Sequence, residues 1–563
     1  MADLTRRERC EKRLKSLKTI RLPFEPQWRD TAELVLPSHS KFLYGTQTNL
    51  RGGQRQYKRI NRRLYNGHGT AAFRTLCGGM TSGLSSPSRP WFRLTCYDSS
   101  LLDDQQVKDY IDEVEKRMYA FLSGTNFYAC KKYGYSEIGL FGTAAGVMVE
   151  DVAFGAVCHP LSVGEYWIAV NHAQVPDALY RQIPMTVVQA VQRFGKDKVS
   201  TRISNAYDAG NYDDAVQIMH AIEPNDELQI GKMTAKGKPW SSIYWDTQDG
   251  DSREVLLEEG YNEQPFWAPR WGTQGGDVYG SDCPGFDCLA DLRELQLQTK
   301  RKTDATAKLY DPEMVVPAAL NLTGKPGNRV AAARVDKDQI VVPYAIPYQA
   351  IEAINQDVER CTRAVDTLSY ADLFMAITNM EGIQPRNIQE IASRNEEKLT
   401  QLGPVIERVN TEDLQVSVER TFGIMARAQM LPPAPPHLQG AQLKIQFVSI
   451  LAQMQRMIGI GQLEQTVSFI GNLAAANPEA MDKLDVDAAI DEYADRAGAP
   501  TKVIRSENDV QQLRAQRAQQ QNMKNVAAMM PAAKDGAAAA QLLTQAGQNH
   551  AGIAAMTGQN PPQ

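Results

Sequence analysis

Residue types able to do chemistry are plentiful in this 563-residue chain, yet none stands at the spacing its chemistry would need. A phosphate-binding loop requires Gly-x-x-x-x-Gly-Lys-Ser/Thr, so that backbone N–H groups cradle phosphate and the hydroxyl holds a metal. The nearest approach, Gly231 to Lys238, has one residue too many and puts Pro239 where the hydroxyl belongs. There is no His-Glu-x-x-His zinc helix, no Cys-x-x-Cys pair and no Gly-x-Ser-x-Gly nucleophile turn. Cys283 and Cys288 lack a partner pair and read as structural thiols. His39, His68, His159, His172, His220, His437 and His550 never cluster, and His68 reads as a surface or capping residue. The acidic pairs Asp103-Asp104, Asp213-Asp214 and Glu258-Glu259 read as solvated faces rather than metal ligands. The expectation is a protein that is not an enzyme, with no catalytic residue, no cofactor and no metal.

The bulk properties bound what else it can be. Hydrophobic residues at 43% and charged residues at 23% describe an ordinary globular protein, and the length calls for two to four structural units. No stretch approaches the roughly 18 apolar residues of a membrane-spanning helix. Met1 to Ile20 is basic, without the apolar centre of a secretory signal, so the chain is expected to stay where it is made. Eight scattered cysteines fit reduced, buried thiols. The net charge of -5 conceals an asymmetry: residues 1–63 hold sixteen Lys/Arg against six Asp/Glu. The remainder is therefore distinctly acidic, unlike a chain built to grip nucleic acid over a wide surface. If it handles DNA, it lets DNA pass.

The elements follow from periodicity. An amphipathic helix with Leu14, Leu17 and Arg21 opens the chain and stops near Pro23. The Arg-rich stretch 51–63 leads into a small-residue run, Gly67 to Leu84, which Ser85-Ser86-Pro87-Ser88-Arg89-Pro90 breaks. Helices are expected over Leu101–Leu122 and Tyr128–Ala145, then short strands between about Gly146 and Tyr279, interrupted by a helix near Thr186–Phe194. Phe286–Tyr310 reads as one long helix, followed by a small strand-bearing segment over 312–347. A second helix then carries Ile351, Ile354, Val358, Cys361, Val365 and Leu368 along one face, with Glu352, Asp357, Glu359, Asp366 and Asp372 elsewhere. Such a pair buries little alone, and its stripe is expected to pack against a neighbouring copy. A third long helix, about Asn387–Ala428, contains Gly403-Pro404, where a sharp kink is expected because proline removes a hydrogen bond. Residues 441–498 read as a compact helical unit. Beyond Val503 the Gln/Ala-rich chain is expected to form a helix to about Met529 with a loose end.

An ordered series of motifs carries a resemblance. Met80-Thr81-Ser82-Gly83-Leu84-Ser85-Ser86-Pro87-Ser88-Arg89-Pro90-Trp91-Phe92 closely resembles the signature of the podovirus head-to-tail connector, or portal, family. Asn126-Phe127-Tyr128, Phe141-Gly142-Thr143-Ala144, and Arg181 with Met185-Thr186 and Phe194-Gly195 follow in order. So do Tyr279-Gly280 with Pro284-Gly285, Leu402-Gly403-Pro404-Val405 with Arg408, and Gly498-Ala499-Pro500. The likeness covers roughly residues 10–505. One departure is Ser281-Asp282-Cys283, where a further glycine or basic residue is expected.

The resemblance implies an α+β, mainly helical portal fold and a homo-oligomeric ring, usually of twelve copies, at one capsid vertex. Its layout would be a wing over 1–285 with a small β unit at about 146–280, and stem helices over 286–310 and 350–372. A clip would span 311–349, a tunnel loop 373–386, the kinked wing helix 387–430, a crown 440–500 and a C-terminal tail 501–563. Expected DNA-channel residues are Lys300, Arg301, Lys302, Phe374, Asn379, Glu381 and Gln384. Lys325, Arg329 and Arg334 would be clip contacts, and Gly403 and Pro404 the kink. The implied partners are duplex DNA in the lumen, the terminase large subunit, tail adaptor or nozzle proteins, and the major capsid and scaffolding proteins, with no membrane. The protein would reside in the virion and, during assembly, in the host cytoplasm. The rival readings are another virion protein (a tail adaptor or ejection protein) or an enzyme subunit of the packaging machine.

Overall fold

The computed structural model describes residues 5–37, 64–98, 104–229, 231–232, 234–248, 255–310, 347–378, 396–438, 443–449, 451, 460–476, 483–497 and 510–521. The chain divides into two units, Met1–Gly498 and Ala499–Gln563. In the second unit the described residues form one helix, 510–521.

The first unit opens with helix α1 (Arg6–Arg21), started by a reciprocal cap between Thr5 and Glu8. Its buried positions Arg7, Cys10, Leu14, Leu17 and Arg21 recur at the three-to-four-residue spacing of one helix face. Helices α2 (Glu25–Val35), α3 (His68–Leu84), α4 (Gln105–Gly124) and α5 (Phe127–Phe141) follow, with strand β1 (Phe92–Cys96) between α3 and α4. A β region succeeds them: β2 (Ala145–Asp151), β3 (Gly155–Leu161), β4 (Tyr166–Val170), β5 (Pro176–Thr186), β6 (Ala215–Pro224), β7 (Trp240–Asp246), β8 (Leu257–Tyr261) and β9 (Phe266–Trp267). Helices α6 (Val187–Phe194) and α7 (Thr201–Asp208) are inserted between β5 and β6.

Strands β4 to β8 form an antiparallel meander in chain order, while β2 pairs with both β3 and β9. Alternation along β6 assigns the two faces of the meander. Met219 and Ala221 join Cys10, Leu14 and Leu17 of α1 on one side. Val216 and Ile218 meet Val187, Ala190, Phe194 and Ile203 of α6 and α7 on the other.

After the short helix α8 (Pro284–Asp287) come α9 (Leu289–Tyr310), α10 (Tyr348–Leu368), α11 (Ala371–Thr378) and α12 (Glu396–Val409). A π-helical segment (Asn410–Gln415) joins α12 to α13 (Val416–Arg427). Strand β10 (Leu443–Phe447) and helices α14 (Ile460–Ala476) and α15 (Val486–Ala497) complete the unit. The segment expected to be wholly helical after residue 441 therefore begins with a strand. Strand β10 pairs antiparallel with β1, Phe92 opposite Phe447, across some 350 residues of sequence. Its five residues LKIQF alternate in a way that a helix-based reading overlooks.

The resemblance motifs are packing devices. A Cβ on Gly142 would lie 2.8 Å from the Gly280 carbonyl oxygen, a Cβ on Gly280 would overlap the Gly142 carbonyl, and Gly142 itself has φ 73°. Only glycine allows both that approach and that backbone conformation. Thr143 Oγ1 accepts the Gly280 N–H at 2.7 Å, tying the two motifs together. Trp91 stacks on Phe127 at 6.1 Å, and Thr186 caps α6, which stops at Gly195.

Candidate channel site: the α9–α10 pair and its footing

Helices α9 and α10 run antiparallel, and their near end is set into the main core. Leu292 and Val365 belong to that core, and the Cys288 thiol points to the Val365 carbonyl at 3.8 Å. Gln296 accepts the N–H groups of Tyr65 and Asn66 at 2.7 and 3.0 Å and donates to the Asn66 carbonyl at 2.7 Å. His68 Nε2 lies 2.8 Å from Asp366 Oδ1, so this histidine clamps α10 to the start of α3. Burial pushes the Cys283 and Cys288 thiols up, as inert structural thiols require.

The far halves are different. Lys300, Arg301 and Lys302 are exposed on α9, with Lys300 Nζ 5.8 Å from the Tyr65 ring centroid. The apolar stripe of α10 is not left for a neighbour along its whole length: Ile351, Cys361 and Val365 are buried within one chain. Helix α9 lies along α10 and supplies the cover that the sequence reading assigned to a second copy. Asp291, Glu294 and Cys361 place potential ligand atoms within 4.8 Å of one another, but Glu294 already binds Arg360 at 2.6 Å.

Phe374 is corrected. It is 1% exposed and belongs to the main core, so it is an anchor and not a channel contact. Its ring occupies the space that a side chain at Gly79 of α3 would take. The chain reaches this anchor through Tyr370, whose φ of 56° is a left-handed conformation that costs a non-glycine residue about 1 kcal/mol. The small residues of α3 were the available signal, since helices that carry glycine facing inward admit a partner closely. Asn379, Glu381 and Gln384, and the clip candidates Lys325, Arg329 and Arg334, lie outside the described residues.

Gly403 and Pro404 sit inside α12, with Pro404 exposed and helical residues on both sides. A π-helical segment follows six residues beyond Pro404. That segment turns two consecutive carboxylates inward. Glu412 Oε2 accepts from Arg270 Nε at 3.2 Å and Oε1 from Nη2 at 2.6 Å. Asp413 pairs with Lys131, which also donates to Ser417 Oγ at 2.8 Å and lies 3.5 Å from the Trp267 ring centroid. All four charged side chains are 7% exposed or less. Burial raises the pKa of both carboxyls, and the paired cations oppose that rise. Sequence reasoning missed these residues. The signal was Glu412-Asp413 interrupting an apolar series formed by Leu402, Val405, Ile406, Val409, Leu414 and Val418.

The basic N-terminal helix is largely occupied by the β meander. Arg6 and Arg9 bind Glu227, Arg6 also binds Glu258, and Arg13 binds Glu223. Arg21 donates to the Tyr166 carbonyl at 2.9 Å and stacks over Trp167 at 4.3 Å. Part of the sequence's basic excess is thus structural. Among the described residues, no helix is long and apolar enough to cross a membrane.

The profile of a family described as "Bacteriophage head to tail connecting protein" matches residues 7–504. The chain is 37% identical over 536 residues to a protein named "Portal protein" of Salmonella phage epsilon15, covering 95% of each chain. It is 34% identical over 543 residues to a "Probable portal protein" of Bordetella phage BPP-1, covering 96% of each. The mixed helix-and-sheet chain, its connector motifs and these full-length similarities agree, and the chain belongs to the bacteriophage head to tail connecting family.

Proposed function

We propose that this chain is a portal protein, one copy of a homo-oligomeric ring of about twelve subunits at a capsid vertex, through which the genome enters and leaves. The observation that carries the reading is 37% identity over 95% of both chains to a protein named "Portal protein". The fold supports it with a helix pair footed in the core and exposed along its far half. In this reading α9 and α10 form the stem. The clip expected over 311–349 gives its last residues to the start of α10, and the tunnel loop expected over 373–386 gives its first residues to α11. Asn379, Glu381 and Gln384 lie beside DNA. Lys325, Arg329 and Arg334 of the clip bind the terminase large subunit during packaging and tail adaptor or nozzle proteins afterwards. The major capsid and scaffolding proteins surround the wing. The protein works in the virion, after assembly in the host cytoplasm. Its role is passive, guiding DNA that a separate motor drives.

The experiment is particle assembly without this protein, followed by complementation. Wild-type protein supplied in trans restores DNA-filled heads. A chain lacking 311–346 that still forms rings yields heads without DNA, because the motor has no dock. Filled heads from that deletion would reject the clip assignment.

A further inference from the structure

Asp291 and Glu294 stand three residues apart on one face of α9, and Cys361 meets them from α10. Their carboxylate oxygens and the sulfur all lie within 4.8 Å of one another. The place is about one helical turn beyond the contact of Cys288 with the Val365 carbonyl, where the helix pair leaves the core.

Packing alone does not account for the trio. Cys361 is 0% exposed, and its sulfur lies beside two carboxylates whose charge an inert packing thiol does not need. Asp291 is partly buried, yet it forms no hydrogen bond or ion pair among the described residues. Arg360 compensates Glu294 at 2.6 Å and has Asp357 of its own helix at 3.8 Å as a second partner. One cation thus serves two other acids, and Asp291 is left without one.

We propose that Asp291, Glu294 and Cys361 bind one divalent transition-metal ion of the zinc class, which staples α9 to α10 where the pair leaves the core. Zinc holds carboxylate oxygen and thiolate sulfur at about 2.0–2.3 Å, so its tetrahedral ligands lie about 3.3–3.8 Å from each other. Groups already within 4.8 Å reach that spacing by side-chain rotation. As the metal–sulfur bond forms, the Cys361 proton leaves to solvent. Glu294 turns from Arg360, which keeps Asp357, and water takes the fourth position. A sulfur in the set selects zinc over magnesium or calcium, which take oxygen ligands. The site is complete within one chain, so the inference does not rest on the ring.

The test uses the full chain, stripped of metal by a chelator under reducing conditions, with cobalt(II) as a spectroscopic probe. A thiolate ligand gives cobalt a near-ultraviolet charge-transfer band, and four-coordination gives intense visible bands. Wild-type protein is expected to show both at one cobalt per chain, and zinc is expected to abolish them by displacement. Cys361→Ser should remove the charge-transfer band, which separates this thiol from the seven other cysteines. Zinc affinity, read by competition with a chromophoric chelator, should fall at least about tenfold in Cys361→Ser and in Asp291→Asn, since even partners one shell further out are worth that much. Zinc should also raise the melting midpoint of the wild type and of neither variant. If Cys361→Ser fails to fold, Asp291→Asn decides alone, because its side chain is partly exposed. Absence of zinc binding, a charge-transfer band that survives in Cys361→Ser, unchanged affinity in Asp291→Asn, or magnesium competing at zinc concentrations would each overturn the proposal.

Discussion

Phe374 separates an anchor from a channel contact, and the consequences can be worked out from the structure. At 1% exposure, truncation to Ala removes a ring from the main core, and such Phe→Ala changes cost about 3–5 kcal/mol. For a unit this large that is a fall of about 3–5 °C in the main melting transition. The reverse perturbation, Gly79→Ala, pushes a methyl group into the space that the Phe374 ring fills, at a cost of about 1–3 kcal/mol from overpacking. In the double variant the methyl group introduced at position 79 enters the space that the ring vacates. Its cost should fall short of the sum of the two single costs by at least about 1 kcal/mol. The assay is thermal or urea unfolding of the four proteins of the cycle, followed by near-ultraviolet circular dichroism. A Phe374→Ala cost below about 0.5 kcal/mol, or strict additivity, would refute the packing argument and return Phe374 to the lumen.

Other expectations follow from the buried charges. Lys131→Met should destabilise by about 3–5 kcal/mol, because it strands Asp413, and adding Asp413→Leu should recover most of the loss in the same unfolding assay. Neutral histidines make the β region sensitive to acid. Burial and the nearby Arg181 and Arg193 hold His159 down at about 4 and His220 well below its usual range. Depressed folded values mean stability present above about pH 6.5 that is lost as pH falls toward 4, and His159→Gln should flatten that slope by about 2 kcal/mol after allowance for partial exposure. Glu115 behaves oppositely: burial lifts its pKa to about 7, so its contribution is fully present below about pH 4.5 and lost as pH rises through 7. Glu115→Gln should match wild type near pH 4 and be about 2 kcal/mol more stable near pH 8, read as melting midpoints.

The sequence made legible what repeats locally. The stripe of α10, the cap of α6 at Thr186 and the face of α1 are patterns of three or four residues, and each became an element near its expected place. Partners distant in sequence were not legible. Strand β10 looks like an isolated alternating pentad until β1 lies beside it, and Phe374 looks like a loop aromatic until Gly79 opens a place for it. Pro404 announces itself as a helix breaker, whereas the π-helical segment that turns Glu412 and Asp413 inward to Arg270 and Lys131 has no such local mark. Those cations stand more than 140 residues away, and no local pattern couples them to the carboxylates. Arginines in α1 that contribute to the basic N-terminal excess are matched by carboxylates on the β meander, which no local pattern announces.

The central claim is a ring, and native mass spectrometry with negative-stain imaging of the purified protein tests it most directly. The account predicts a closed assembly of about a dozen copies around an open central hole. A folded monomer or dimer across salt and protein concentrations would contradict it.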